Sequence, residues 1–220
     1  MADKIIIGIS GLIGSGKDTV ADYLVNTHGF ARISYAGVIK DIASTIFGWP
    51  RDMLEGRTKA SREWREQVDK WWAAKLDMHN FTPRFVLQNF GTELFREHFH
   101  PNIWIHSVEH KLMNSTDNIV ISDVRFPNEI KSIKDAGGIM IRTHRGPDPE
   151  WYRAAEIVNG GPTQNLSWAS NRAFLDSYKI HASETAWIGT EFDATLNNDG
   201  TIDDLYAQIN DLLQDRQASK

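Results

Sequence analysis

A glycine-rich segment near the N-terminus carries the most specific chemistry in the sequence. Gly11–Lys17 reads GLIGSGK, which fits the G-x-x-x-x-G-K pattern of triphosphate-binding loops. Glycines let consecutive backbone N–H groups turn towards phosphate oxygens, and a lysine adds a mobile charge for the β- and γ-phosphates. We therefore predict that Gly14, Ser15, Gly16 and Lys17 bind ATP and that Lys17 is also catalytic. The alternative is a glycine-rich turn with a surface lysine.

The two residues after the lysine bear on a metal ion. The usual Ser/Thr magnesium ligand is replaced by Asp18, and Thr19 follows it. A carboxylate can hold Mg²⁺ directly or through water. The sequence thus predicts an altered Mg²⁺ site with Asp18 as ligand.

A second set of charged residues follows a short apolar run, Asn118–Ser122. Asp123, Arg125 and Glu129 come next, where a buried strand of an open α/β sheet would end and ligands bind. Asp123 would organise the metal or a sugar hydroxyl, and Arg125 would bind phosphate; both are predicted to be catalytic. Glu129 would reach a sugar or base. A solvated Arg125–Glu129 pair at a helix start is the alternative.

A further candidate group has helical spacing. Arg84 and Gln88 are four residues apart, and Gly91 extends the same face. A guanidinium suits phosphate, an amide can pair with a base edge, and a glycine permits close approach. An ordinary helix surface is the alternative. Weaker candidates are Lys40, Asp41, Arg57, Arg62 and Arg65, and the charges of Ser61–Gln67 are predicted to face solvent.

The elements that must position these residues alternate along the chain. Apolar runs predict strands at Lys4–Ser10, Ala31–Tyr35, Asn118–Ser122, Ile139–Thr143 and Phe192–Leu196. Helical spacing predicts helices at Asp18–Asn26, Gly37–Phe47, Ile103–Met113, Asn128–Ala136 and Ile202–Leu213, with two or three more between Arg51 and Phe99. The glycine segment thus lies between a strand and a helix, which is the context that supports a phosphate loop. Prolines and glycines between 147 and 162 predict irregular structure there.

This order predicts a three-layer α/β/α fold of the P-loop NTPase type, with a parallel sheet covered on both faces. We expect a single domain whose core comprises residues 1–50, 114–144 and 185–220. A helical, substrate-binding insertion would span about 51–113, and a lid about 145–184.

Composition narrows the functional classes. The chain has 220 residues, no cysteine and a formal net charge of −5. Disulfides and thiolate sites are therefore excluded, and a general nucleic-acid binder is disfavoured because it needs a broad basic surface. Apolar runs are shorter than the roughly 20 residues that cross a bilayer, and the N-terminus lacks the features of a secretory signal. We expect a cytoplasmic protein without a membrane partner.

Taken together, several segments resemble the phage-type deoxynucleoside monophosphate kinases. The matching segments, in the family's order, are SGLIGSGKDT (10–19), AGVIKD (36–41), LQNFGTEL (87–94), Trp104, Asp123–Arg125 with Glu129, HASE (181–184) and NDGT (198–201). GKDT followed by AG-x-IKD is more specific than the glycine pattern alone. The resemblance touches most of the chain outside 48–80 and 145–180.

The resemblance implies a site for each of two nucleotides. ATP and Mg²⁺ would be served by Lys17, Asp18 and Thr19, with the adenine held by the loop that contains Asn198 and Gly200. The monophosphate pocket would be lined by Ile39, Lys40, Arg84, Gln88, Gly91, Thr92, Trp104, Asp123, Arg125 and Glu129. The implied reaction passes the γ-phosphate of ATP to a dNMP and supplies DNA precursors.

Two other functions stay open: a P-loop kinase for another small acceptor, such as dephospho-coenzyme A or phosphomevalonate, and a non-catalytic ATP-binding switch. The chain also departs from the family between Arg145 and Ile180, where it is longer. The arginine that reaches the transferring phosphoryl group is left open among Arg142, Arg145, Arg153 and Arg172. An enlarged lid could also form a homodimer contact, and His181–Glu184 is predicted to anchor it.

Overall fold

The fold was obtained as a computed structural model that describes residues 4–162 and 166–218, without the side chains of Thr92, Leu166, Gln217 and Ala218. The strands are β1 (Ile6–Ser10), β2 (Ala31–Ile33), β3 (Ile119–Ile121), β4 (Ile139–His144) and β5 (Ala194–Asn197). The helices are α1 (Lys17–His28), α2 (Gly37–Phe47), α3 (Arg51–Glu55), α4 (Lys59–Arg65), α5 (Lys70–Leu76), α6 (Pro83–Asn89), a π-helix (Phe90–Glu97), α7 (Ile103–Asn114), α8 (Pro127–Asp135), α9 (Tyr152–Asn159), α10 (Leu166–Ser177), α11 (Ala182–Thr185) and α12 (Ile202–Ala218).

The five strands form one parallel sheet in the order β2-β3-β1-β4-β5. On one face, Ile7 and Ile9 of β1 pack with Leu24 of α1 and Leu205 of α12. The other face meets α8 so closely that a Cβ on Gly8 would lie 2.6 Å from Ile133 Cδ1. Apolar residues therefore point to both faces of the sheet, as expected for an α/β fold of the P-loop type.

The chain divides into two compact units. The first, which we call the sheet unit, comprises the residues up to Ile33 and from Leu112 onward. The second, the helical unit, is Ser34–Lys111. Its core is rich in aromatic rings: Trp49, Phe81 and Leu54 are buried together, and Phe47 stacks on Trp49. The assignments of about 51–113 as a substrate-binding insertion and about 145–184 as a lid stay predictions.

The predicted strands and most helices are confirmed, with two differences. Arg51–Phe99 holds four α-helices and a π-helix rather than two or three helices. The irregular structure predicted for 147–162 is wrong at Tyr152–Asn159, which is α9. Four residues of α9 are buried (Tyr152, Ala154, Ala155 and Val158). Pro149 and Gly160 therefore mark the ends of a short buried helix and do not break it.

In the described part of the chain, helices are too short or too polar to span a membrane.

Candidate active site

The glycine segment forms a tight loop between β1 and α1. Gly14 has φ 80° and Gly16 has φ 101°, both in the left-handed region that favours glycine. Gly16 is the N-cap of α1 and makes no side-chain capping hydrogen bond. The first N–H groups of α1 thus remain available to an anion, and the helix dipole favours negative charge there. The loop therefore has the backbone conformation of an anion-binding loop, whereas its binding of ATP stays a prediction.

Lys17 lies folded over this loop. Its Nζ donates to the carbonyl oxygens of Gly11 at 2.8 Å and Leu12 at 2.7 Å. Burial, and next the positive charge of Arg125, lower the pKa of Lys17 to about 8. Lys17 is therefore still mainly charged at neutral pH, and phosphate oxygens can compete with the two carbonyls for its protons.

The loop between β5 and α12 contacts the phosphate loop. Asn198 Nδ2 donates to Ser15 O at 3.0 Å, and a Cβ on Gly16 would lie 2.4 Å from that same nitrogen. Under the loop, the hydroxyl of Ser15 is buried without a hydrogen-bond partner in the described residues. The structure therefore brings Asn198 to the predicted ATP loop, whereas the contact of Gly200 with adenine stays a prediction.

Asp18 lies in an ion-pair network at the start of α1. Arg32 pairs with Asp18 and also with Asp22, at 2.8 Å, and its Nη2 donates to Ser122 Oγ at 2.5 Å. The described residues contain no group of three or more His, Asp or Glu side chains arranged for a metal. Mg²⁺ that arrives on nucleotide phosphates needs few protein ligands. Asp18, which is exposed, and Thr19 beside it are compatible with such an ion.

The segment after β3 is held by a buried carboxylate. Glu129 is 3% exposed, and its Oε2 accepts from the backbone N–H of Arg125 at 2.8 Å and of Phe126 at 3.1 Å. Ser10 Oγ on β1 donates to Val124 O at 3.0 Å, which fixes the segment to the sheet. Glu129 thus shapes the loop that carries Arg125, and the predicted contact of Glu129 with a sugar or base stays untested. Asp123 lies half-buried at the end of the strand.

The guanidinium of Arg125 meets the HASE segment. Its Nη1 donates to Glu184 Oε1 of α11, and Ser183 O lies 3.4 Å away. The charges of Arg125 and Glu184 both act on Lys17, in opposite directions. Lys17, Arg125 and Glu184 therefore form one charged cluster in the sheet unit. The alternative considered from the sequence, a solvated Arg125–Glu129 pair, is not what forms, since Glu129 is buried and Arg125 pairs with Glu184.

The four candidate lid arginines differ in their partners. Arg142 pairs with Asp148 at 2.7 Å and lies 4.8 Å from the ring centre of Tyr152. The remaining pairs are Arg153–Glu156 at 2.7 Å and Arg172–Asp176 at 3.0 Å. Arg145 is exposed and has no hydrogen bond or ion pair among the residues that the structure describes. Arg145 is thus the candidate whose charge is available to a ligand.

The helical unit contains a cavity of about 170 Å³. Its lining combines apolar side chains with three cations: Ala36, Ile39, Lys40, Arg65, Arg84, Leu87 and Gln88. Four of the predicted acceptor residues, from α2 and α6, thus line the same cavity. Arg84 has no anionic partner among the described residues, whereas Lys40 Nζ is paired with Glu55 at 2.7 Å. A cavity with this lining suits a ligand that has one apolar and one anionic end.

Two further predicted acceptor residues of the same unit, Gly91 and Trp104, are not among the lining residues of this cavity. A Cβ on Gly91 would be 3.3 Å from Ile39 Cδ1, and Trp104 Nε1 donates to Gly91 O at 3.0 Å. Trp104 is 3% exposed and packs on Phe95. Its position supports the π-helix. The side chain of Thr92 lies outside the described residues.

Arg65 was predicted only as a weaker candidate, and the charges of Ser61–Gln67 were predicted to face solvent. Instead its Nε is buried without a hydrogen-bond partner in the described residues. Burial, and next the charge of Arg84, lower the pKa of Arg65. Charge spacing along α4 carries no signal for this, since Arg62 and Arg65 look alike in sequence. Only the packing of α4 near α6 separates them.

Comparison with known proteins settles the family. One relative is a protein of Acanthamoeba polyphaga mimivirus that is named as a deoxynucleotide monophosphate kinase. It is 33% identical over 64% of this chain and 74% of its own length. The chain belongs to the deoxynucleoside monophosphate kinase family. The deoxynucleoside-5'-monophosphate kinase of Escherichia phage T5 is 27% identical over 60% of this chain and 72% of its own length. The resemblance of the motifs to this family is thereby confirmed.

Other comparisons add less. No family model matches the chain. Dephospho-CoA kinase from Campylobacter jejuni matches with a TM-score of 0.46 and 18% identity, over 97% of this chain and 98% of that one. Shikimate kinase from Aquifex aeolicus matches with a TM-score of 0.44 and 12% identity, over 98% and 100%. At TM-scores this low, the likeness to these structures supports no statement about the phosphate acceptor of this chain.

Proposed function

We propose that the chain is an ATP-dependent kinase that transfers the γ-phosphate of ATP to a deoxynucleoside monophosphate and releases ADP and a deoxynucleoside diphosphate. Family membership supports this reaction class. The observation that supports a phosphate monoester as the acceptor is the cationic cavity of the helical unit. There, Arg84 and Arg65 have no carboxylate partner in the described residues. A phosphate monoester on an apolar base and sugar matches that lining.

The proposed reaction depends little on general acid or base catalysis. An oxygen of the acceptor phosphate forms a bond to the γ-phosphorus while the bond to the β–γ bridging oxygen breaks. The second pKa of a phosphate monoester is about 6, so the nucleophile is already mostly ionised at neutral pH. Catalysis then consists of alignment and neutralisation of charge. No general base is required of the chain.

The proposed roles follow from the charges in each unit. N–H groups of Gly14–Thr19 bind the phosphates of ATP, and Lys17 turns from its carbonyl partners to the β- and γ-phosphates. Arg125 and Arg145 neutralise charge on the transferring group, with Asp123 at the same strand end. Asp18 and Thr19 are the candidates to hold Mg²⁺, which offsets phosphate charge when it is bound.

The direct test is ADP release at fixed ATP and Mg²⁺ with each dNMP and NMP, dephospho-coenzyme A and phosphomevalonate as acceptors. We expect turnover with at least one dNMP and none with the last two. Preference for either of these would identify the other small-acceptor kinase. Tight ATP binding without acceptor-stimulated turnover would identify the switch.

A further inference from the structure

The insertion between β4 and β5 brings a carboxylate to Arg125. Glu184 Oε1 accepts from Arg125 Nη1, and the two side chains are 19% and 36% exposed. The pair is thus partly withdrawn from water. A charge-assisted hydrogen bond is stronger in such surroundings than at an open surface. Glu184 contacts one of the residues to which we assign the transferring phosphate.

The carboxylate is carried by a part of the insertion that is tied to α9 by hydrogen bonds and packing. On α9, Asn159 Nδ2 donates to the carbonyl oxygens of Thr185 at 2.7 Å and Ile188 at 2.8 Å. Trp187 is 1% exposed and packs against Tyr152 of the same helix. The short helix α11 is therefore fastened to α9 on both sides of its C-terminus. The position of Glu184 depends on the fold of the insertion and not only on its own rotamer.

We infer that Glu184 is a positioning residue for Arg125, and that holding it there is a function of the insertion; this rests on the proposed function. An arginine side chain loses much rotamer entropy when it is fixed, so a guanidinium already held in place binds phosphate at lower cost. Glu129 fixes the backbone N–H of Arg125 at 2.8 Å. Arg125 is thereby held at both ends, at its backbone and at its guanidinium.

The guanidinium nitrogens that Arg125 uses show whether Glu184 positions Arg125 or competes with phosphate for it. A carboxylate that imitated phosphate would engage the fork of two guanidinium nitrogens. Here both contacts, to Glu184 and to Ser183 O, use Nη1 of Arg125. Nη2 and Nε have no partner among the described residues, so they remain available to a phosphate while Nη1 is held.

The test compares Glu184→Gln with the same change at Glu156, which lies in the same insertion but pairs with Arg153. We expect Glu184→Gln to lower kcat on the order of tenfold to a hundredfold, the scale of misplacing a reacting group, with little change in KM for the dNMP. Glu184→Asp should recover part of the loss. Glu156→Gln should match the wild type in kcat, and melting temperatures should agree among all four proteins.

A double-mutant cycle with Arg125→Met decides whether the effect passes through Arg125. If it does, Glu184→Gln causes no further loss in the Arg125→Met background. Losses that multiply would overturn the inference, and so would a kcat for Glu184→Gln within twofold of wild type. Tighter ATP binding in Glu184→Gln with undiminished kcat would show instead that the carboxylate competes with phosphate.

The same cycle can be measured without turnover, as the rise in melting temperature caused by saturating Mg·ATP. Coupling predicts that Glu184→Gln changes this rise in the wild-type background but not with Arg125→Met. An equal change in both backgrounds contradicts the inference. If the protein turns over no dNMP, the proposed function fails, whereas this measurement still tests the pair.

Discussion

The phosphate loop and the helical-unit cavity are built in opposite ways. The loop is contiguous: Gly11–Thr19 supplies its glycines, its lysine and the first turn of a helix. The cavity is assembled from α2, α4 and α6, and its lining residues lie up to 52 positions apart, Ala36 to Gln88. A contiguous motif has its geometry fixed by local backbone preferences, whereas an assembled cavity depends on how helices pack. The comparison predicts which substitutions abolish phosphoryl transfer and which only weaken the binding of the acceptor.

The largest effect is expected in the contiguous loop. Lys17→Ala removes the charge that we propose to lie beside the transferring group, so kcat/KM for ATP should fall on the order of 10²–10⁵-fold. Initial rates of ADP formation, with ATP varied at saturating dNMP, measure this. Lys4→Ala, which changes a lysine that donates to Leu112 and Ser115 outside the loop, is the control. A loss smaller than about tenfold for Lys17→Ala would remove it from the mechanism.

The insertion should contribute a smaller effect through one arginine. Arg145→Ala is expected to lower kcat about 10²-fold, the scale of one charged hydrogen bond at the transition state. Arg153→Ala and Arg172→Ala serve as controls because each is paired on its own helix. Equal losses in all three variants would mean that the insertion acts through its fold and not through Arg145.

Substitutions in the assembled cavity should change the affinity for the dNMP. Arg65→Gln is expected to raise KM for the dNMP about 10- to 100-fold, because a charged hydrogen bond contributes about 1.5–3 kcal/mol. Arg62→Gln should leave KM unchanged, since Arg62 is exposed and donates to the carbonyl of Arg57 at 3.1 Å. The decisive contrast is between these two neighbours on one helix: an effect at Arg62 instead of Arg65 would refute the cavity as the acceptor site.

The smallest effect concerns the stability of the helical unit. Burial by itself would raise the pKa of Glu55, but Lys40 and Arg51 outweigh it and lower that pKa to about 2. Because the folded pKa lies below the unfolded one, the stabilisation is present above about pH 4.5 and is lost as the pH falls towards 2. Partial exposure screens these charges, so we expect on the order of 1–2 kcal/mol at neutral pH.

Urea unfolding of Glu55→Gln at pH 7 and pH 3 measures this. The difference in free energy of unfolding from the wild type should shrink at the lower pH. Glu63→Gln is the control, because its 3.7 Å pair with Lys59 is exposed on both sides. A difference that is the same at both pH values would show that Glu55 stabilises the unit without its charge.

Sequence reasoning recovered the fold class because strands and helices leave periodic signals. β1 is buried at all five positions, as its unbroken apolar run predicts. The helix α9 was missed because proline and glycine lie close to its two ends, and a helix of 8 residues gives little periodicity to read. Short helices depend on packing for their stability, and packing is not a local signal.

Family resemblance also named residues that the tertiary structure brings together, Ile39, Lys40, Arg84 and Gln88. It could not distinguish Arg65 from Arg62, nor select Arg145 from the other arginines of the insertion. Nor did it find that Arg32 pairs with Asp18 and that Glu184 pairs with Arg125. Each of these joins residues that are 14 or more positions apart.

The sequence by itself determined the phosphate loop, since the conformations that glycine permits and the start of the next helix are properties of consecutive residues. Tertiary structure alone decided which charges are paired and which remain available to a ligand. A side chain finds its partner through packing between distant elements, and burial then sets the cost of leaving its charge unpaired.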